Sequence, residues 1–144
     1  MSNLTSFSFK GMGLTNKLTE LRFMFFRSKK LESVDFCNCD FSSVDNLYGM
    51  FSQCSALKSI DFSGCNLTSV STTGNMFNNC SALESIDFSN CDLSNVTSHK
   101  YMFTTGCKAL KEIKAIGCNE ATIDFLKARL NDAGLTNQVT LTVK

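Results

Sequence analysis

Hydrophobic residues in this chain recur at a fixed long interval. Met-Phe pairs stand at 24–25, 50–51, 76–77 and 102–103, each 26 residues after the one before. Aligned on these pairs, the apolar positions fall into columns. Leu31, Leu57, Leu83 and Leu110 form one, and Val34, Ile60, Ile86 and Ile113 the next. Phe36, Phe62 and Phe88 follow, with Ala115 in the fourth copy, and then Cys39, Cys65, Cys91 and Cys118. Phe41, Leu67 and Leu93 come two residues later, then Val44, Val70, Val96 and Ile123. Polar residues fill the gaps, and Gly106 is an extra residue in the fourth copy. Self-similarity at such a period is the mark of a solenoid, in which each unit buries its apolar side only against its neighbours.

The string L-x-x-[VI]-x-F-x-x-C-x-[FL] matches the leucine-rich-repeat signature. Its fourth and sixth positions alternate with period two, which places them inward on a short strand. Successive strands should stack in parallel about 4.8 Å apart. The predicted fold is an α/β leucine-rich-repeat solenoid. It has a parallel β-sheet on the concave face and short helical or irregular convex segments.

The ends depart from the repeat. Leu4, Phe7, Phe9, Met12 and Leu14 reproduce the spacing of Leu31 to Phe41, which predicts a first strand near residues 4–9. Between residues 120 and 133, Ile123, Leu126, Leu130 and Ala133 share one helical face, with Asn119 as N-cap and Gly134 as stop. Val139, Leu141 and Val143 then alternate as in a final strand. The chain thus reads as one domain, 1–144. It comprises a degenerate repeat (1–23), full repeats (24–49, 50–75, 76–101), a partial repeat (102–118) and a helix–strand cap (119–144).

Composition narrows the function. A net charge of +1 over 144 residues gives no global field for nucleic acid. No apolar run is long enough for membrane insertion. Lys10, Lys17, Glu20 and Arg22 break up the N-terminal region, so it does not read as a secretory signal, which leaves a cytoplasmic or virion-associated location open. Of 15 Phe and Tyr residues, 13 are Phe. Their recurrence once per repeat, as Phe25, Phe51, Phe77 and Phe103 and as Phe36, Phe62 and Phe88, predicts core ladders rather than a binding platform.

The eight cysteines form no C-x-x-C pair. Two columns, Cys39/Cys65/Cys91/Cys118 and Cys54/Cys80/Cys107, read as small buried residues, and Cys37 stands apart. A linear ladder does not converge on a tetrahedral metal. The Asp column is more suggestive. Asp35, Asp61 and Asp87 lie between inward positions, so they should point out onto the concave face with Lys114 as fourth member. Ser33, Ser59 and Ser85 lie two residues earlier on the same face. A cation could relieve the repulsion within this column, but a solvated polar ladder is the expectation, with no metal and no cofactor. These seven residues form the predicted ligand-contacting strip. No catalytic constellation is visible, and His99 reads as an exposed loop residue. The strip predicts a binding module for a protein or glycan. An unpaired first strand near residues 4–9 predicts, alternatively, a homo-oligomer through the N-terminal edge or a subunit of a larger assembly such as a phage particle.

The phrase MFxxCSALxSIDFSxCDLSxVT, over about residues 24–118, resembles the short leucine-rich repeats of BspA-like bacterial surface proteins. Related repeats occur in mycoplasma lipoproteins. The resemblance implies a non-catalytic adhesion module at the cell surface that binds host proteins, matrix or other cells.

Overall fold

The computed structural model describes residues 3–10 and 19–144. Six short strands lie in one sheet: β1 (Ser6–Ser8), β2 (Ser33–Asp35), β3 (Ser59–Asp61), β4 (Ser85–Asp87), β5 (Glu112–Lys114) and β6 (Thr140–Thr142). Each pairs in parallel with the next, in sequence order. One helix, α1 (Glu120–Asp132), sits between β5 and β6. The protein is a parallel β-solenoid, as the column pattern predicts.

The register reproduces the alignment. Val34, Ile60, Ile86 and Ile113 stack at the strand centres and are at most 2% exposed, flanked outward by Ser/Glu on one side and Asp/Lys on the other. The predicted first strand is present as β1, with Phe7 paired to Val34. Met12 and Leu14, the last members of that degenerate copy, lie outside the described residues.

The back of each coil is not helical. Glu20, Asn46, Thr72 and Ser98 form a second parallel ladder of single bridges. Around it, amides of one coil donate to carbonyls of the next at alternate residues: Leu47 N to Thr72 O at 2.9 Å, Gly49 N to Gly74 O at 2.9 Å, Phe51 N to Met76 O at 3.0 Å. The convex side is therefore tied by the same inter-coil bonding as the sheet. Stacking aligned coils satisfies polar backbone that burial would otherwise leave costly.

Between these walls run two stacks of rings. Phe9, Phe36, Phe62 and Phe88 follow one another at centroid separations of 5.0, 5.1 and 5.4 Å, within 10° of parallel. Phe25, Phe51, Phe77 and Phe103 do the same at 5.4, 5.9 and 5.4 Å. The stacks meet edge to face, as Phe51 does with Phe62 at 6.3 Å. Phe36, Phe51, Phe62 and Phe77 are all within 1% of full burial.

Sharp corners close each coil. Asn38, Gly64, Asn90 and Gly117 occupy one corner, all with φ between 59° and 77°. Only Gly adopts this region without cost, and Asn tolerates it. The two residue types alternate for a further reason. A Cβ on Gly64 would collide with the Asn38 side-chain oxygen, and one on Gly117 with that of Asn90.

At the C-terminal end, Asn119 caps α1, its side-chain oxygen accepting from Thr122 N at 2.8 Å, and Gly134 follows with φ 72°. Leu126 and Leu130 bury against the core, while Ile123 and Ala133 are half-buried. Val139 is buried and Leu141 half-buried, but Val143 is 37% exposed. The alternation expected of the last strand therefore ends one residue early.

Candidate functional site

The outward side chains of β2–β5 line a shallow recess of about 310 Å³ over the sheet. Ser33, Asp35, Ser59, Asp61, Ser85, Asp87 and Lys114 all border it, joined by Glu112. All seven predicted strip residues thus share one surface. Register pairing aligns the Asp side chains in a row that ends on Lys114.

Each Asp also has a local task. Asp35 Oδ1 accepts from Cys37 N at 2.9 Å, Asp61 Oδ1 from Ser63 N at 2.8 Å and Asp87 Oδ1 from Ser89 N at 2.8 Å. This bond turns the chain at the strand end, a common use of Asp. The second carboxylate oxygen of each makes no hydrogen bond or ion pair within the described residues, so the row can accept hydrogen bonds from a ligand. Ser and Thr hydroxyls beside it can both donate and accept.

Cys37 belongs to this end of the face. Its sulfur accepts from Ser63 Oγ at 3.5 Å, and its ligand atom lies within 4.8 Å of one carboxylate oxygen each from Asp35 and Asp61. Cys37 stands apart from both cysteine columns in the sequence, which does not by itself place it on this face. The signal was its position one residue past Phe36, where the next two repeats carry Ser63 and Ser89.

The other cysteines are buried, except Cys118 at the last coil, which is half-buried. Each thiol donates to a Phe carbonyl of the preceding coil. Cys39, Cys65, Cys91 and Cys118 reach Phe9, Phe36, Phe62 and Phe88 at 2.9–3.1 Å. Cys54, Cys80 and Cys107 reach Phe25, Phe51 and Phe77 at 2.9–3.1 Å. Several of these carbonyls already accept an amide within their own coil, as Phe36 O does from Cys39 N. The thiol occupies the second lone pair with a small, mostly apolar group. Burial pushes the Cys54 thiol up to about 11 and Cys91 to about 12, and raises Cys80 and Cys107 as well. Such thiols stay protonated and are poor nucleophiles. No disulfide joins any of the described cysteines.

The residues matching the protein family described as "Mycoplasma protein of unknown function, DUF285" are 6–116, from β1 to just past β5. The chain belongs to that family. The matched segment holds both phenylalanine stacks and the whole Ser/Asp strip, so in this DUF285 member the candidate face is built from the family's own repeat. Helix α1 and β6 lie beyond the match. Comparison with curated proteins gave no match.

His99 is not a simple loop residue in this member of the family. It is half-buried, with its ring edge-on to Phe125 at 5.8 Å. It borders a second recess, of about 470 Å³, between the end of the back ladder and α1. No helix among the described residues is long and apolar enough to cross a membrane.

Proposed function

We propose that this chain is a non-catalytic interaction module that binds a protein or glycan through the outer face of its main sheet. One observation carries the reading: the repeat places Ser33, Asp35, Ser59, Asp61, Ser85, Asp87 and Lys114 in register around a single recess. Nothing in the packing requires Ser33, Ser59 or Ser85 to be polar. A rigid ladder presents these groups without the ordering cost a flexible loop would carry. In this reading the solenoid is of the leucine-rich-repeat kind, related to BspA-like repeats, and works in adhesion at a cell surface.

A ligand that meets the row of carboxylates would offer hydrogen-bond donors or cationic groups, such as sugar hydroxyls or Lys and Arg side chains. The test is a screen of immobilised glycans and extracellular-matrix proteins with the wild-type chain and with Asp61→Ala. That variant should keep its fold and lose most of its affinity for whichever ligand is captured. Unchanged affinity in Asp61→Ala and in Asp87→Ala would remove this face from consideration.

A second reading is a structural subunit. It is favoured by β1, which pairs with β2 alone and leaves its other edge open among the described residues. Light scattering at several concentrations separates the two. A concentration-dependent rise above 15.9 kDa favours assembly through an edge, and a constant 15.9 kDa favours the free module.

A further inference from the structure

The front sheet and the back ladder end at different coils. The sheet continues through β5 and β6, whereas the last back rung is Ser98. In the first two coils four amides at alternate positions donate to carbonyls of the coil that follows, and in the third three do so. In the third they are Thr73 N to Ser98 O, Asn75 N to Lys100 O and Phe77 N to Met102 O, at 2.8, 3.0 and 3.0 Å. Their counterparts in the last coil are the amides of His99, Tyr101 and Phe103. None of these finds an acceptor among the described residues.

All three residues line the 470 Å³ recess, whose far wall is α1, represented by Arg129 and Asp132. The helix is fixed there: Thr122 Oγ1 accepts from Leu93 N at 2.9 Å, and the Phe125 ring meets the His99 ring edge to face at 5.8 Å. A gap of this volume, bounded on its far side by α1, takes a short length of one chain and not a whole coil of a second copy. Asp132 is matched by Arg129 Nε at 3.0 Å. Lys100 has no carboxylate partner among the described residues; its ammonium lies 5.1 Å from the Tyr101 ring. The lining is therefore net positive.

We propose that this recess binds a short extended acidic peptide, which completes the back ladder as its next rung. Amides at i, i+2 and i+4 call for carbonyls at the same alternate spacing, which an extended segment supplies. This is the logic of strand addition at an open edge. Lys100 favours carboxylates on the incoming side chains. A small anion would satisfy one amide and leave the others to water.

The probe is the capped hexapeptide acetyl-(Glu-Val)3-amide, titrated into ¹⁵N-labelled full chain and followed by amide chemical shifts. Saturable shifts at His99, Tyr101 and Phe103 are expected, with β2–β4 undisturbed. The exposed-site charge reversal Lys100→Glu should weaken binding about fivefold, from loss of an attraction and gain of a repulsion. Acetyl-(Lys-Val)3-amide should not bind. Three results would overturn the proposal: no saturation at these amides, equal binding of the basic peptide, or full displacement by sodium glutamate, which would mean an anion site only. The site is separate from the front face, so Asp61→Ala should leave this binding unchanged whether or not the front face holds a ligand.

Discussion

Phe62→Ala tests the packing most directly. The ring is fully buried and is covered on both faces, by Phe36 at 5.1 Å and Phe88 at 5.4 Å. Its edges meet Phe41 and Phe51 at 6.4 and 6.3 Å. Truncating a buried Phe to Ala costs about 3–5 kcal/mol, and the cost is greatest where neighbours cannot collapse into the hole. Here both neighbouring coils are held by hydrogen bonds on front and back walls, so the gap should stay open. The expected loss is at the upper end, about 4–5 kcal/mol, or roughly 10–20 °C in melting temperature for a chain of this size. Phe103 ends its stack, with Phe77 on one face only. Phe103→Ala should therefore cost less, about 3 kcal/mol. Urea unfolding followed by circular dichroism measures both, and the denaturant slope shows whether unfolding remains one cooperative step. A loss below about 1 kcal/mol for Phe62→Ala, or a larger loss for Phe103→Ala, would refute the stacking argument.

Alkali should weaken the fold through its thiols. In the unfolded chain they ionise near the ordinary value of 9, while burial holds Cys54 at about 11 and Cys91 at about 12. The unfolded state then binds fewer protons above pH 9, so stability that is fully present below that pH falls as the pH climbs toward 12. A urea midpoint that held steady from pH 8 to 10.5 would contradict the buried-thiol assignment. Gly64→Ala should destabilise by about 1–2 kcal/mol from its left-handed backbone alone. The collision with Asn38 adds to this, and combining it with Asn38→Ala should recover the collision part. A double-mutant cycle with no coupling would mean the two corners do not touch.

Much of the fold could be read from the sequence because burial repeats. Val34, Ile60, Ile86 and Ile113 occupy the same place in successive coils, so the same residue type recurs at the same spacing. The back ladder could not be read this way. Glu20, Asn46, Thr72 and Ser98 have no residue type common to all four, since it is their backbone that pairs. The outward strip was legible for the same reason as the core, by alternation on a strand of known sense. The recess beside α1 was not, because it depends on the front and back walls stopping at different coils. His99 lies far in sequence from Arg129, and no local pattern links them. The thiol–carbonyl bonds were half legible: the columns predicted burial, but not that each sulfur would serve the coil before it.

The alternation of Asn38, Gly64, Asn90 and Gly117 has a consequence for how such a chain can lengthen. A coil with Asn at this corner must be followed by one with Gly, because the amide head of the Asn occupies the space a Cβ would need. Copying residues 24–49 alone would set one Asn corner directly upon another. Copying residues 24–75 keeps Asn and Gly in turn. Duplication that includes an Asn-corner coil is thus expected to carry the following Gly-corner coil with it. A chain that folded one coil out of step would meet the same obstruction, so this corner also helps near-identical repeats find their own neighbours.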